Sequence, residues 1–164
     1  MSGKTRDTAI VTGASRGIGR AIPERLVEDG LHVVNLDIAT PVALHAHETF
    51  IQVDMADEAA LRAALAQATQ GRAITRLVNN AGIVRPAGID TATSADLQAV
   101  MALNVAASIA CVQAVLPAMR AARFGRIVNI SSRAALGKGE RIAYAASKAA
   151  LHGITRTLAL ELAA

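Results

Sequence analysis

The chain predicts an α/β fold in which a parallel sheet is covered by helices. Short runs rich in Val and Ile alternate with longer stretches that carry Ala and Leu at helical spacing, and such alternation implies right-handed parallel crossovers. Apolar residues make up 52% of the sequence and aromatics only 2%, so the core must be built from Ala, Val, Leu and Ile. That composition suits strands buried on both faces. The 164 residues show no repeat, low-complexity tract or second domain, and suffice for one domain with a real core.

The elements follow in order. Residues 8–12 (TAIVT) read as a strand, and the glycine turn after it opens a helix over 17–29. Pro23 stands about a turn and a half into that helix, where a missing N–H and a ring clash cost about 3 kcal/mol or more, so a kink is expected. A strand over 31–37 follows. The link to the next strand, 50–54, holds Thr40-Pro41 and is short, which leaves a turn or loop where a crossover helix would stand. A helix over 57–69, a strand over 74–79, a helix over 94–121, a strand over 125–130 and a helix over 143–162 complete the order. From Leu97 to Met119 there is no charge, a length that could span a bilayer. Gln98, Asn104, Ser108, Gln113 and Pro117 interrupt it, so it reads instead as a helix with one face on the sheet and another on a partner subunit. Met101, Val105, Val112 and Leu116 form the stripe expected of such a face.

Tyr144, the only tyrosine, lies four residues before Lys148 and so shares a helix face with it. A phenol with an ordinary pKa of about 10 is a poor acid or base at neutral pH, and an ammonium beside it favours the phenolate. The pair can therefore serve general acid/base chemistry. Ser131 and Ser132, at the carboxyl end of the 125–130 strand, offer hydroxyls that could hold a carbonyl. At the other end of the chain, Gly13, Gly17 and Gly19 sit between strand and helix with Ser15, Arg16 and Ile18 among them. Strand, glycine turn and helix amino terminus form a cradle for phosphate, although the spacing is GxxxGxG and not GxGxxG. Asp37 closes the second strand about twenty residues on, where a carboxylate can accept hydrogen bonds from a ribose.

Thr12-Gly-Ala-Ser-Arg-Gly-Ile-Gly19, Asn79-Asn-Ala-Gly82, Asn104, Ser132 and Tyr144-x-x-x-Lys148 occur in the order and approximate spacing of the short-chain dehydrogenase/reductase family, which residues 8 to 164 resemble throughout. The resemblance implies a Rossmann-type, doubly wound, three-layer α/β/α sheet and a nicotinamide cofactor. It implies NAD(P)-dependent interconversion of a secondary alcohol and a ketone, with Tyr144 as acid/base and Lys148 lowering its pKa and holding the nicotinamide ribose. Ser132 would orient the carbonyl, the family usually using the second serine, and Asn104 would position a proton-relaying water. Asn80, Ala81 and Gly82 would pass beneath the cofactor; Asp54 would meet the adenine amino group with Met55 beside it. Asp37 would repel the 2′-phosphate of NADP more than Arg16 would attract it, so NAD is the expected cofactor and NADP the less expected one. Helices 94–121 and 143–162 would form a homo-oligomer interface. Family members continue for two more strands, a substrate-covering loop and a helix, which implies that this chain is truncated after the Tyr/Lys helix and leaves the 125–130 strand as a sheet edge. The alternative is a catalytically silent fragment that binds cofactor or pairs with a full-length homologue.

The net charge of +4 and the run of Arg120, Arg123, Arg126, Arg133, Lys138 and Arg141 invite a nucleic-acid reading. No recognised module and no aromatic interleaving accompany them, so solvated arginines are expected. No membrane role is expected either. His45 and His47 lack a third ligand, and no metal is expected. Cys111 is the sole cysteine, which rules out an internal disulfide, suits a cytoplasmic protein and reads as buried and inert. The seven residues before the first strand are too short and polar for a signal peptide.

Overall fold

A computed structural model describes residues 7–163; the six residues ahead of that range lie outside the described ones. Strands β1 (Thr8–Thr12), β2 (His32–Asp37), β3 (Glu48–Gln52), β4 (Ile74–Asn79) and β5 (Arg126–Asn129) form one parallel sheet in the order β3-β2-β1-β4-β5. Helices α1 (Gly17–Glu28), α2 (Glu58–Thr69), α3 (Ser94–Met101), α4 (Ala107–Ala122) and α5 (Ile142–Leu162) lie between and beside them. The strand order reverses between β1 and β4, which opens a crevice at their carboxyl ends.

Ile10, Val34, Leu36 and Leu77 point to one face and pack against α2 and α4, whose Leu61, Leu65, Cys111, Val112 and Val115 complete that core. Val11 and Val33 point to the other face and meet Ile22, Leu26 and Val27 of α1. The alternation follows from the two-residue period of a strand. Each fully buried aliphatic side chain contributes about 1.5–3 kcal/mol relative to exposure. On the α1 face the cover stops short: Val128 on the edge strand is 47% exposed. Arg76 and Arg126, paired across β4 and β5, lie 5.1 and 4.8 Å from the Phe124 ring centroid, so an aromatic does interleave with this part of the arginine run.

Two expectations shift, the bounds of the third strand and the continuity of the 94–121 helix. The third strand spans Glu48–Gln52 and not 50–54, because its pairing with β2 begins at Val33 opposite Glu48 and ends at Asp37 opposite Gln52. No helix joins β2 and β3, as the short link required. α1 is one continuous helix with Pro23 buried within it. The expected 94–121 helix is divided by a π-helical turn, Ala102–Ala106, which shifts the register of everything before it relative to the sheet. The whole stretch Ser94–Ala122 is long and apolar enough to cross a membrane by length and composition, but Val100, Cys111, Val115 and Met119 are buried within the fold.

Candidate active site

The crevice at the strand order reversal is bordered by the glycine loop. Gly13 (φ 66°) and Gly17 (φ 57°) both adopt left-handed backbone, which admits glycine without strain. Their surroundings differ. A Cβ on Gly13 would stand 2.8 Å from the Ala81 Cα, and one on Gly19 would collide with the Gly13 carbonyl oxygen, whereas Gly17 faces open space. Gly13 and Gly19 are therefore demanded by the chain's own packing, and Gly17 is the position at which a ligand could approach the backbone. α1 has no side-chain cap and no acidic residue in its first turn. In contrast, Asp57 caps α2 by accepting from the Ala59 and Ala60 amides, and Thr93 caps α3 by accepting from Asp96. An uncapped amino terminus beside an open glycine fits an anion such as a pyrophosphate.

Asp37 lies beside this loop. Its buried carboxylate accepts from the Ser15 amide at 2.9 Å and from the Ala39 amide at 3.0 Å, one bond to each oxygen, which fixes its orientation. Arg16 and Ile18 are exposed at the start of α1. Past the end of β3, Asp54 is exposed with Oδ1 accepting from the Ala56 amide at 2.9 Å, and Met55 is buried.

On the β4 side, the Thr12 hydroxyl oxygen accepts from the Asn80 and Ala81 amides, both at 3.0 Å. The Asn80 Nδ2 returns bonds to the Thr12 and Gly13 carbonyls at 3.0 and 2.9 Å. These bonds lock the β4 terminus to the glycine loop across the crevice. Asn104, fully buried, accepts from the Ile83 amide at 2.8 Å and donates to the Ile83 carbonyl at 3.1 Å and to the Ser147 hydroxyl at 3.0 Å. It sits in the π-helical turn and not in regular mid-helix, and the extra residue of that turn accompanies its inward placement.

Lys148 is buried, 3% exposed, and its Nζ donates to the Ile130 carbonyl at 2.7 Å. The ammonium lies 5.7 Å from the Tyr144 ring centroid, and a Cβ on Gly82 would stand 3.5 Å from it. Burial pushes the lysine pKa down from its ordinary value. The two serines divide. Ser131 donates to the Lys148 carbonyl at 2.9 Å and so fastens α5 to the end of β5. The Ser132 oxygen accepts from the Ala134 amide at 3.1 Å and caps the short 3₁₀ turn Arg133–Leu136, which packs on α5, so its hydroxyl proton can still be given elsewhere. Ser147 joins Asn104 to the backbone of α5, its hydroxyl accepting from the Asn104 amide and donating to the Tyr144 carbonyl at 2.8 Å.

With that geometry in view, the family model described as short chain dehydrogenase matches residues 7–164. The chain belongs to the short-chain dehydrogenase family. Among curated members, it is 36% identical to the oxidoreductase UcpA of Salmonella typhimurium over 99% of this chain and 66% of that protein. It is 35% identical to the short-chain dehydrogenase/reductase cdmF of Talaromyces verruculosus over 92% of this chain and 61% of that protein. The chain therefore spans somewhat less than two thirds of these relatives' length. Two solved family structures resemble it closely. A 3-oxoacyl (acyl-carrier-protein) reductase from Agrobacterium tumefaciens with NADP bound superposes with a TM-score of 0.88 at 32% identity, over 97% of this chain and 66% of that one. A 4-hydroxyisoleucine dehydrogenase complexed with NADH gives 0.87 at 27% identity, over 96% and 68%.

Sequence reasoning did not single out Thr12, Asn35 and Ser147 for the bonds they make. All three are small polar residues with side chains buried inside regular elements, and a polar residue at an interior position of a strand or helix is the signal that could have found them.

Proposed function

We propose that this dehydrogenase family member is an NAD(P)-dependent oxidoreductase that interconverts a secondary alcohol and a ketone, with NAD as the preferred cofactor. The single observation that carries the reading is Lys148: a buried ammonium anchored on the Ile130 carbonyl, 5.7 Å from the ring of the only tyrosine. A charge taken out of water at such cost needs a use. When bound, the nicotinamide supplies or accepts the hydride at the carbonyl carbon. The chain's own residues do the rest. Tyr144 gives its hydroxyl proton to the carbonyl oxygen or takes it from the alcohol, and Ser132 holds that oxygen by its hydroxyl. Lys148 keeps a positive charge beside the phenol while the proton moves, and Asn104, pinned on both sides of Ile83, holds the water through which that proton is replaced.

The uncapped amino terminus of α1, with Arg16, Gly17, Ile18 and Gly19, holds the pyrophosphate, and Asp37 accepts from the adenosine ribose hydroxyls. A 2′-phosphate would confront the buried Asp37 carboxylate, which supports NAD over NADP. Asp54 and Met55 line the adenine end, and Asn80, Ala81 and Gly82 the floor. A homo-oligomer through α3–α4 and α5 is supported by Leu97, Ile109, Ile142 and Leu160, which are exposed on those helices.

The test is an assay of NADH- and NADPH-dependent reduction over a panel of ketones, sugars and 3-oxoacyl thioesters, with the Tyr144→Phe variant beside the parent. Turnover in the parent that is lost in the variant supports the reading. Cofactor binding with no turnover on any substrate would overturn it in favour of a silent fragment.

A further inference from the structure

One cluster of buried charge has no part in the chemistry above. Glu48 opens β3 with its side chain wholly buried, yet it is paired with the Arg20 guanidinium of α1 at 2.7 Å. Burial pushes its carboxyl pKa up; hydrogen bonds from Arg20, the His45 amide and Asn35 outweigh that and hold it below the ordinary value. A buried ion pair of this kind is poor evidence of stabilisation, because apolar packing of the same volume is often as good. Its reach is more informative. The Glu48 Oε2 accepts from the His45 amide at 2.9 Å, and Arg20 sends its second nitrogen to the Ala43 carbonyl at 2.7 Å. Both bonds fasten the connection 38–47, which has no helix or strand of its own and follows directly on Asp37.

Asn35 carries the same carboxylate to the glycine loop. Its Nδ2 donates to Glu48 Oε1 and to the Ser15 hydroxyl, both at 3.2 Å, and its Oδ1 accepts from the Ala14 amide at 3.3 Å. Ser15 is the residue whose amide orients Asp37. Glu48 therefore ties α1, the glycine loop, the end of β2 and the 38–47 connection to one point beneath the expected ribose site.

We propose that Glu48, acting through Arg20 and Asn35, is a positioning residue for the adenosine end of the dinucleotide site. It clamps residues 38–47 to α1 and holds Ser15 where its amide meets Asp37; the inference rests on the cofactor reading above. The experiment titrates parent, Glu48→Gln and Arg20→Lys with NADH, with ADP-ribose and with reduced nicotinamide mononucleotide, with melting temperatures measured alongside. Glu48→Gln is expected to weaken NADH and ADP-ribose alike by at least tenfold and to leave the mononucleotide within twofold of the parent. Arg20→Lys keeps the charge but cannot fork to both Glu48 and Ala43, and a several-fold loss at an unchanged melting temperature is expected. Folded variants that bind NADH within twofold of the parent, or that lose affinity for all three ligands equally, overturn the inference. A parent that binds no NADH overturns the cofactor reading and this inference with it, whereas a parent that binds while its variants match it overturns this inference alone.

Discussion

Lys148 spends its burial on a single carbonyl and the neighbourhood of one phenol, and the cost is measurable. Because its pKa is lowered in the fold, the charged lysine opposes folding at neutral pH. That penalty fades as pH rises through the folded-state pKa towards the ordinary 10.5, since the unfolded chain then binds the extra proton. Lys148→Met should accordingly raise the melting temperature at pH 7, with the gap to the parent narrowing as pH rises and closing only above the ordinary 10.5. A gap that is constant with pH in a thermal melt series would show that burial of the charge is not its source. Asp37→Asn keeps an acceptor for only one of the Ser15 and Ala39 amides, sets its NH2 against the other and removes the negative charge, which should lower the NADH-to-NADPH affinity ratio by about tenfold, a change of about 1.4 kcal/mol. Fluorescence titration with both cofactors checks it, and an unchanged ratio would move the origin of any preference elsewhere.

At the scale of elements, α1 carries a proline at its seventh position and still forms. Pro23→Ala should restore the helical N–H and relieve the ring clash, together about 3 kcal/mol, while uncovering two ring methylenes worth about 0.8 kcal/mol each, for a net gain of about 1 kcal/mol. Chemical denaturation measures this, and a destabilised variant would mean that the proline ring's packing outweighs the backbone term. The same helix shows what a sequence can reveal. Strand and glycine turn were legible at Thr8–Gly19 because apolar run and glycine spacing are local signals, and the parallel order followed from alternation alone. The π-helical turn was not legible, since it adds one residue without altering the apolar period on either side. Glu48 escaped too: next to His45 and His47 it reads as part of a polar loop, and only the pairing register with Val33 shows it to begin a strand and to be buried. The expected roles of Tyr144, Lys148 and Ser132 rest on spacing and motif order, while the bond by which Ser131 fastens α5 joins residues seventeen apart and leaves no local signal.

Across the described residues, β5 is the edge strand of the sheet and Val128 is exposed on the α1 face. A groove of about 850 Å³ beside it is lined by Met119, Phe124, Ile127, Leu158 and Leu162 between the carboxyl ends of α4 and α5. An open apolar edge favours pairing between chains. Val128→Lys should therefore reduce concentration-dependent association in light scattering while leaving NADH affinity within twofold, because the crevice between β1 and β4 lies two strand positions away from that outer edge. Association that persists unchanged would assign it to the exposed helix faces instead. Hydride transfer by the Tyr144 and Lys148 machinery is followed by tracing deuterium from NADH dideuterated at the nicotinamide C4 into the product of a ketone that the protein reduces. Label is expected at the carbinol carbon in the parent, with at least a hundredfold slower incorporation in Tyr144→Phe and NADH affinity retained. Product without label, or equal incorporation in the variant, would contradict it.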